Sequence, residues 1–315
     1  MSRPSPPEET EEIGHTRTVL RRLELEVSRR LDGILQGDHR GLVPGHGSEP
    51  GEARVYQAGD DVRRIDWNVS ARTNTIHLRE TIAERELETW LLVDRSASLS
   101  FGTALRTKSD LVLAAAAGVG VLTARGGNRL GALILGSERI DTIPARQGRT
   151  HLLAILDRVR AASSLDGRAD VSLGSAIERL GAISKRRGLA VVLSDFLDDP
   201  ESWRHQLAAL AIRHQVMCVE FIDPRELELP DAGTLTLIDT ETGRVREINT
   251  GSRRLRERYS AAATEQRRAI TAAIRGAGAE HLQLRTDRDW LLDMAHFVIA
   301  RRRRMANVAA GSRRS

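Results

Sequence analysis

Two short acidic turns carry most of the chemistry this chain can offer. The first is Asp94-Arg95-Ser96-Ala97-Ser98, a D-x-S-x-S pattern directly after the strand candidate Leu87 to Val93, whose last four residues are apolar. The second is Ser194-Asp195, directly after Leu189 to Leu193. A carboxylate and two hydroxyls at alternate positions of a turn can face one way and present three hard oxygens. With no nitrogen or sulfur among them, such a set suits Mg²⁺ or Mn²⁺, which bind through oxygen and keep several waters. Asp195 would complete an incomplete cage if the two strand ends were neighbours. The same residues also have a structural use, since Asp and Ser are common in strand-to-helix loops, where they cap the next helix.

Placement separates these uses, so the elements around the turns matter. Val19, Leu20, Leu23, Val27, Leu31 and Ile34 recur at helical spacing and predict a helix over 15–35, followed by a Gly-rich loop over 37–51. Short extended pieces are expected at 54–57 and 75–79. Beyond residue 87, strands at 87–93, 130–135, 139–143, 189–193, 216–222 and 281–284 alternate with helices at 107–124, 150–161, 173–186, 201–212, 252–275 and 287–300. Residues 234–238 and 244–248 flank Thr240-Glu241-Thr242-Gly243 and read as a hairpin. Such alternation implies right-handed crossovers and an α/β, doubly wound, mainly parallel sheet flanked by helices. Runs such as Ala190-Val191-Val192-Leu193 suit strands buried on both faces. Ligands of these sheets sit at the carboxyl ends of strands, where strand order reverses, and both acidic turns stand at such ends.

Composition narrows the classes. The chain has 315 residues, 40% hydrophobic and 29% charged, enough for a sizeable core. Aromatics are only 3%, which argues against a groove of stacking rings for nucleic acid. One cysteine, Cys218, excludes an intramolecular disulfide and a cysteine-based zinc site, and a reducing cytoplasm is expected. Residues 1–12 are polar and acidic, without a signal-peptide apolar stretch, and are expected to be disordered. The longest apolar run is twelve residues, Leu111 to Leu122, whereas a membrane span needs about 20, so none is expected. The net charge of +5 sits on a tail: residues 301–315 hold six arginines and no acid, leaving −1 for the rest. That run is read as a solvated helix end rather than a nucleic-acid or lipid contact. Only Lys108 and Lys185 are lysines among 48 basic residues.

Several motifs are excluded. Gly118-Val119-Gly120 lies mid-helix and lacks the third glycine of a dinucleotide fingerprint, and Lys108-Ser109 has no phosphate-loop glycines before it, so no nucleotide is expected. There is no G-x-S-x-G and no H-E-x-x-H. The haloacid-type D-x-D is absent at Asp94, and the nine histidines do not cluster.

The strand-end pattern resembles a von Willebrand factor A-type domain with its metal-ion-dependent adhesion site. Three stretches resemble, more narrowly, the bacterial family called domain of unknown function 58. They are Tyr56 to Asn68 with Ala71-Arg72-Thr73; Asp94 to Gly102; and Ser194-Asp195-Phe196 with Asp223-Pro224-Arg225-Glu226 and Glu241-Thr242-Gly243. The resemblance spans about residues 50 to 250. It implies a non-enzymatic, adaptor-like protein working beside a MoxR-type AAA+ ATPase in protein or complex maturation, with an unknown client. It also implies a partly degenerate adhesion site of Asp94, Ser96, Ser98 and Asp195. The threonine such sites take from a further loop falls on Val171, which has no oxygen, leaving Ser172 or Asp170 as substitutes. The rival class is a metal-assisted hydrolase using the same acids.

The remaining cluster is Asp60, Asp61, Arg63, Arg64, Asp66 and Trp67, with Arg72 after it. Two readings stand. One is an ion-paired surface turn, each pair worth about 0.2–0.5 kcal/mol. The other is a segment docking the N-terminal part onto the A-type domain or onto a partner, with Trp67 as a buried anchor. The organisation expected is a disordered 1–12, an N-terminal helix and family module over 13–85, an A-type domain over 86–300 and a basic tail over 301–315. Neither sequence-specific nucleic acid nor a membrane span belongs to this reading.

Overall fold

The computed structural model describes residues 6–34, 54–56, 65–73, 75–78, 88–125, 127–136, 140–162, 171–238 and 245–311. Asp60, Asp61, Arg63, Arg64, Asp170 and the turn Thr240–Gly243 lie outside them. In chain order the elements are α1 (Pro6–Ile34), β1 (Arg54–Val55), α2 (Trp67–Thr73), β2 (His77–Leu78), β3 (Glu88–Asp94), α3 (Lys108–Arg125), β4 (Arg129–Leu135), β5 (Ile140–Arg146), α4 (Arg149–Ala161) and α5 (Leu173–Ile183). Then follow β6 (Gly188–Ser194), α6 (Arg204–Arg213), β7 (Gln215–Ile222), β8 (Thr234–Ile238), β9 (Val245–Asn249), α7 (Arg253–Gly276), β10 (Glu280–Arg285) and α8 (Trp290–Gly311).

The main sheet has six strands in the order β10-β7-β6-β3-β4-β5, parallel except for β5, which runs antiparallel to β4. The expected fold class is therefore the one observed. All seven residues of β3 are buried, as a strand covered on both faces requires. Proline 144 sits in the edge strand β5, where a missing N–H costs no ladder bond. On one face α1, α3, α4 and α8 bury Leu20, Leu31, Leu111, Leu156 and Met294 against Leu91 and Val93. On the other, α5, α6 and α7 bury Ile177, Leu207 and Ile270 against Leu92 and Val192. Gly118 and Gly120 serve this packing: a Cβ on Gly118 would sit 2.7 Å from Met294 Sδ, and one on Gly120 would run into Leu152. From β3 the chain proceeds to β4 and β5 on one side, then returns to β6, β7 and β10 on the other. The strand order therefore reverses between β3 and β6, and their carboxyl ends hold Asp94 and Asp195.

Three expectations change. Helix begins at Pro6, not after residue 12. Pro6 and Pro7 open it with φ already set for a helix. Helix α8 runs through the arginine block to Gly311. Its periodicity divides that block: Arg301 follows Trp290, Met294 and Val298 on the inner face, is buried, and pairs with Glu280 and with Gln215 at 2.8 Å, while Arg303 and Arg304 stay exposed. Trp67 is 70% exposed, so it is no core anchor. It is the first residue of the seven-residue α2, which buries none of its residues.

Cys218 is fully buried in β7, and burial, then Glu220, pushes its thiol well above the ordinary range. A thiolate-selective disulfide reagent is expected to label the native chain on the order of a thousandfold more slowly than the denatured one. Comparable rates in both states would contradict this burial.

Candidate functional site

The β3 end supplies the centre. Asp94 is buried, and both carboxylate oxygens accept hydrogen bonds: Oδ1 from the Ser96 N–H at 2.8 Å, Oδ2 from the Ser194 hydroxyl at 2.6 Å. The Ser96 and Ser98 hydroxyls lie 3.1 Å apart. Arg95 turns away and braces the neighbouring helices, donating to Ser109 Oγ at 2.6 Å and to the Ala162 carbonyl at 3.0 Å. Burial, and then the nearby charge of Asp195, push Asp94 up to about 6. Asp94, Ser96, Ser98 and Asp195 thus share one rim.

Asp195 is set there by an unusual turn. Phe196 has φ of 54°, a left-handed conformation that a bulky residue adopts only under constraint. The constraint is visible: its ring is fully buried edge-on to Trp203 at 5.4 Å, and its N–H donates to Ser194 Oγ at 3.1 Å. The Asp195 side chain meets Lys108, whose Nζ donates to Asp195 Oδ2 at 2.7 Å and to Glu226 Oε1 at 2.5 Å. Burial acts to lower the Lys108 pKa, but the two carboxylates outweigh it and the net shift is upward, so the ammonium stays charged. Arg267 continues the chain, donating to the Asp195 carbonyl at 3.1 Å, to Glu220 at 2.7 Å and to Glu226 at 2.9 Å. Asp198, raised by burial and then by Asp195, adds a further carboxylate.

Ser172 is exposed and caps α5, its Oγ accepting the Ser175 N–H at 3.2 Å and donating to Ser175 Oγ at 3.3 Å. Val171 packs against the apolar cluster of that face. In the N-terminal module, Asp66 is buried and caps α2, accepting N–H bonds from Asn68 at 3.1 Å and Val69 at 3.2 Å, while Arg72 is exposed.

The segment Phe101 to Thr107 follows the Asp94 turn in the chain and is pinned. The Thr103 N–H donates to Asp223 at 2.8 Å and its hydroxyl at 2.6 Å, and the Lys108 N–H reaches the Phe101 carbonyl at 2.9 Å. Asp223 also takes the Thr286 hydroxyl at 2.7 Å. These donors outweigh burial and hold its carboxyl below the usual range. Asp223-Pro224-Arg225-Glu226 thus acts as a cap whose Asp anchors the loop and whose Glu meets Lys108. Two apolar side chains remain outside: Leu105 is 74% exposed and Phe101 39%.

A hard cation fits this donor set in part. Asp94, Ser96 and Ser98 offer oxygens from one loop, and the charge pressing on Asp94 is of the sign a cation relieves. Among the described residues no group of three or more His, Cys, Asp or Glu is placed to hold a metal, so hydroxyls and waters would have to fill the shell. Lys108 already serves one oxygen of Asp195.

The family profile described as "Protein of unknown function DUF58" matches residues 52–269. The uncharacterized protein Rv1480 of Mycobacterium tuberculosis is 51% identical over 285 residues, 90% of this chain and 89% of its own. A crystal structure described as an aerotolerance-related membrane protein from Bacteroides fragilis superposes with TM-score 0.43 at 12% identity, covering 68% of this chain and 97% of that one. The SpRpn10 VWA domain does so with TM-score 0.39 at 11% identity, covering 66% and 92%. Among the described residues no helix is long and apolar enough to cross a membrane.

Proposed function

The chain belongs to the DUF58 family, and from that premise we propose that it is a non-enzymatic docking adaptor whose binding surface is the rim at the carboxyl ends of β3 and β6. The observation that carries this reading is the segment Phe101 to Thr107, which follows the Asp94 turn, is pinned through Thr103 to the buried Asp223, and carries two exposed apolar side chains, Phe101 and Leu105. A loop already held in one shape loses little entropy when a partner covers it. The partner proposed is a MoxR-type AAA+ ATPase, acting with this chain on a client in the cytoplasm.

Asp94, Ser96 and Ser98, with Asp195 beside them, would hold Mg²⁺ or Mn²⁺; Ser172, committed to its helix, would not. When bound, the ion would offer a position to a carboxylate of the partner. The protein's own part is to hold the hydroxyls together and keep the carboxylates oriented through Ser194, the Ser96 N–H and Lys108. The hydrolase reading would need, besides the ion, a separate general base, since Asp94 and Asp195, whose oxygens each accept a hydrogen bond, would serve the ion in either reading.

The test is capture of the AAA+ ATPase from native lysate by the tagged chain, with Leu105→Asp and Phe101→Ser as comparison baits. Wild type is expected to recover the ATPase and Leu105→Asp to lose most of it, with unchanged thermal midpoints. Equal recovery by Leu105→Asp, or no ATPase with wild type, would refute the surface. A parallel arm in EDTA separates the ion from the docking: retention there removes the ion alone.

A further inference from the structure

Two strands away from β6 the sheet ends on β10. Strand β10 pairs with β7 on one side, and among the described residues no strand pairs with its other side. Such an edge presents a row of N–H and C=O groups to any chain that can reach it. Its side chains divide by face: Leu282 and Leu284 join the core beneath α8, whereas Gln283 and Arg285 share a groove with α7.

That groove encloses about 580 Å³ and is lined by Arg267, Arg268, Arg275, Arg285 and Arg288, with Ile222 and Leu227 among its apolar members. Among the described residues no acid and no aromatic ring lines it. Arg285 is paired with Asp287 at 2.9 Å, and Arg268 meets Glu265 only at 3.7 Å. Arg275 and Arg288 are exposed and form no ion pair among the described residues. Guanidinium groups match carboxylates as planar forks, while the lack of rings disfavours the base stacking that single-stranded nucleic acid uses.

We propose that the β10 edge and this groove bind an extended acidic segment of a protein partner, which adds to the sheet as a strand and sets alternate carboxylates against Arg275 and Arg288. Main-chain bonds to β10 supply the register, and the arginines select the side chains on one face of the added strand. This surface borders the β3–β6 rim network at Arg267, but the proposal rests on Arg275 and Arg288, which take no part in that network, and it stands or falls without the docking reading.

The test uses the full chain and a fluorescein-labelled peptide of about eight residues alternating Glu and Val. Its control has the same composition with the Glu and Val in separate blocks, and an oligothymidine is a third probe. The alternating peptide is expected to bind best and to slow amide exchange at residues 280–285. Arg275→Glu with Arg288→Glu, both exposed and so compatible with the fold, is expected to weaken binding about tenfold or more. Circular dichroism of that variant checks the fold. Equal binding of the block peptide, preference for the oligonucleotide, unchanged exchange at β10, or no peptide binding would each overturn the proposal.

Discussion

Replacing Lys108 with methionine is expected to lower the stability of the folded chain by about 3–5 kcal/mol. The measurement is a fall in the urea midpoint at constant slope. Lys108 is fully buried at the first position of α3, where the helix dipole disfavours a cation. It is held there by Asp195 at 2.7 Å and Glu226 at 2.5 Å. Removing the ammonium leaves the buried Asp195 carboxylate with no cation on its side chain, the costly way to break an interior ion pair. Lys108→Met combined with Asp195→Asn should recover much of the loss, because the stranded charge disappears with its partner. Lys108→Arg should also destabilise, since a compact ammonium and a wide planar fork do not fill the same space. A loss below about 1 kcal/mol for Lys108→Met would mean that the pair behaves as an exposed one.

Neighbouring substitutions are expected to cost less. Glu226 is shared by Lys108 and Arg267, and Arg267 also serves Glu220, which His281 and Gln283 contact at 2.8 Å. Glu226→Gln leaves each cation another acid. The network joins the starts of α3 and the Pro224 turn to α7 and the outer strands, so it fixes how the two helical layers meet above the rim.

Asp94 and Asp195 are legible in the sequence because both follow apolar residues that a buried strand explains, and alternation with helices implies parallel strand ends. Lys108 is not legible as their partner, although a lysine among so many arginines is a hint, since its partners lie 87 and 118 residues away. No local spacing encodes such a reach. Asp198, Arg267 and the anchoring role of Asp223 were hidden for the same reason. Trp67 misled because its residue type suggests burial, whereas its place at the start of a short helix turns it outward. Charge alone makes the arginines after Ala300 look like one block, whereas helical periodicity separates the buried Arg301 from the exposed Arg303 and Arg304.

Asp94→Asn is expected to stabilise the chain at pH 7 in EDTA while abolishing its docking. The Asp94 carboxyl, ordinarily near 3.8, is pushed up to about 6 by burial and then by Asp195. Between those two values the folded state holds a proton that the unfolded state has released. Stability from this group is therefore complete below about 3.8 and is lost as pH rises through about 6. Above that, the ionised form costs about 3 kcal/mol. Asparagine has the same outline: its oxygen can accept the Ser96 N–H, and its amide can donate to the Ser194 hydroxyl in place of accepting from it. Urea midpoints for wild type and Asp94→Asn should converge near pH 4 and separate toward pH 7, with the variant higher. A lower midpoint for the variant at pH 7, or parallel pH curves, would show that Asp94 carries no such strain. If the separation appears and ATPase capture is lost in the same variant, the charge is being kept at a cost in stability for what it binds, as expected of a group retained for function rather than for folding.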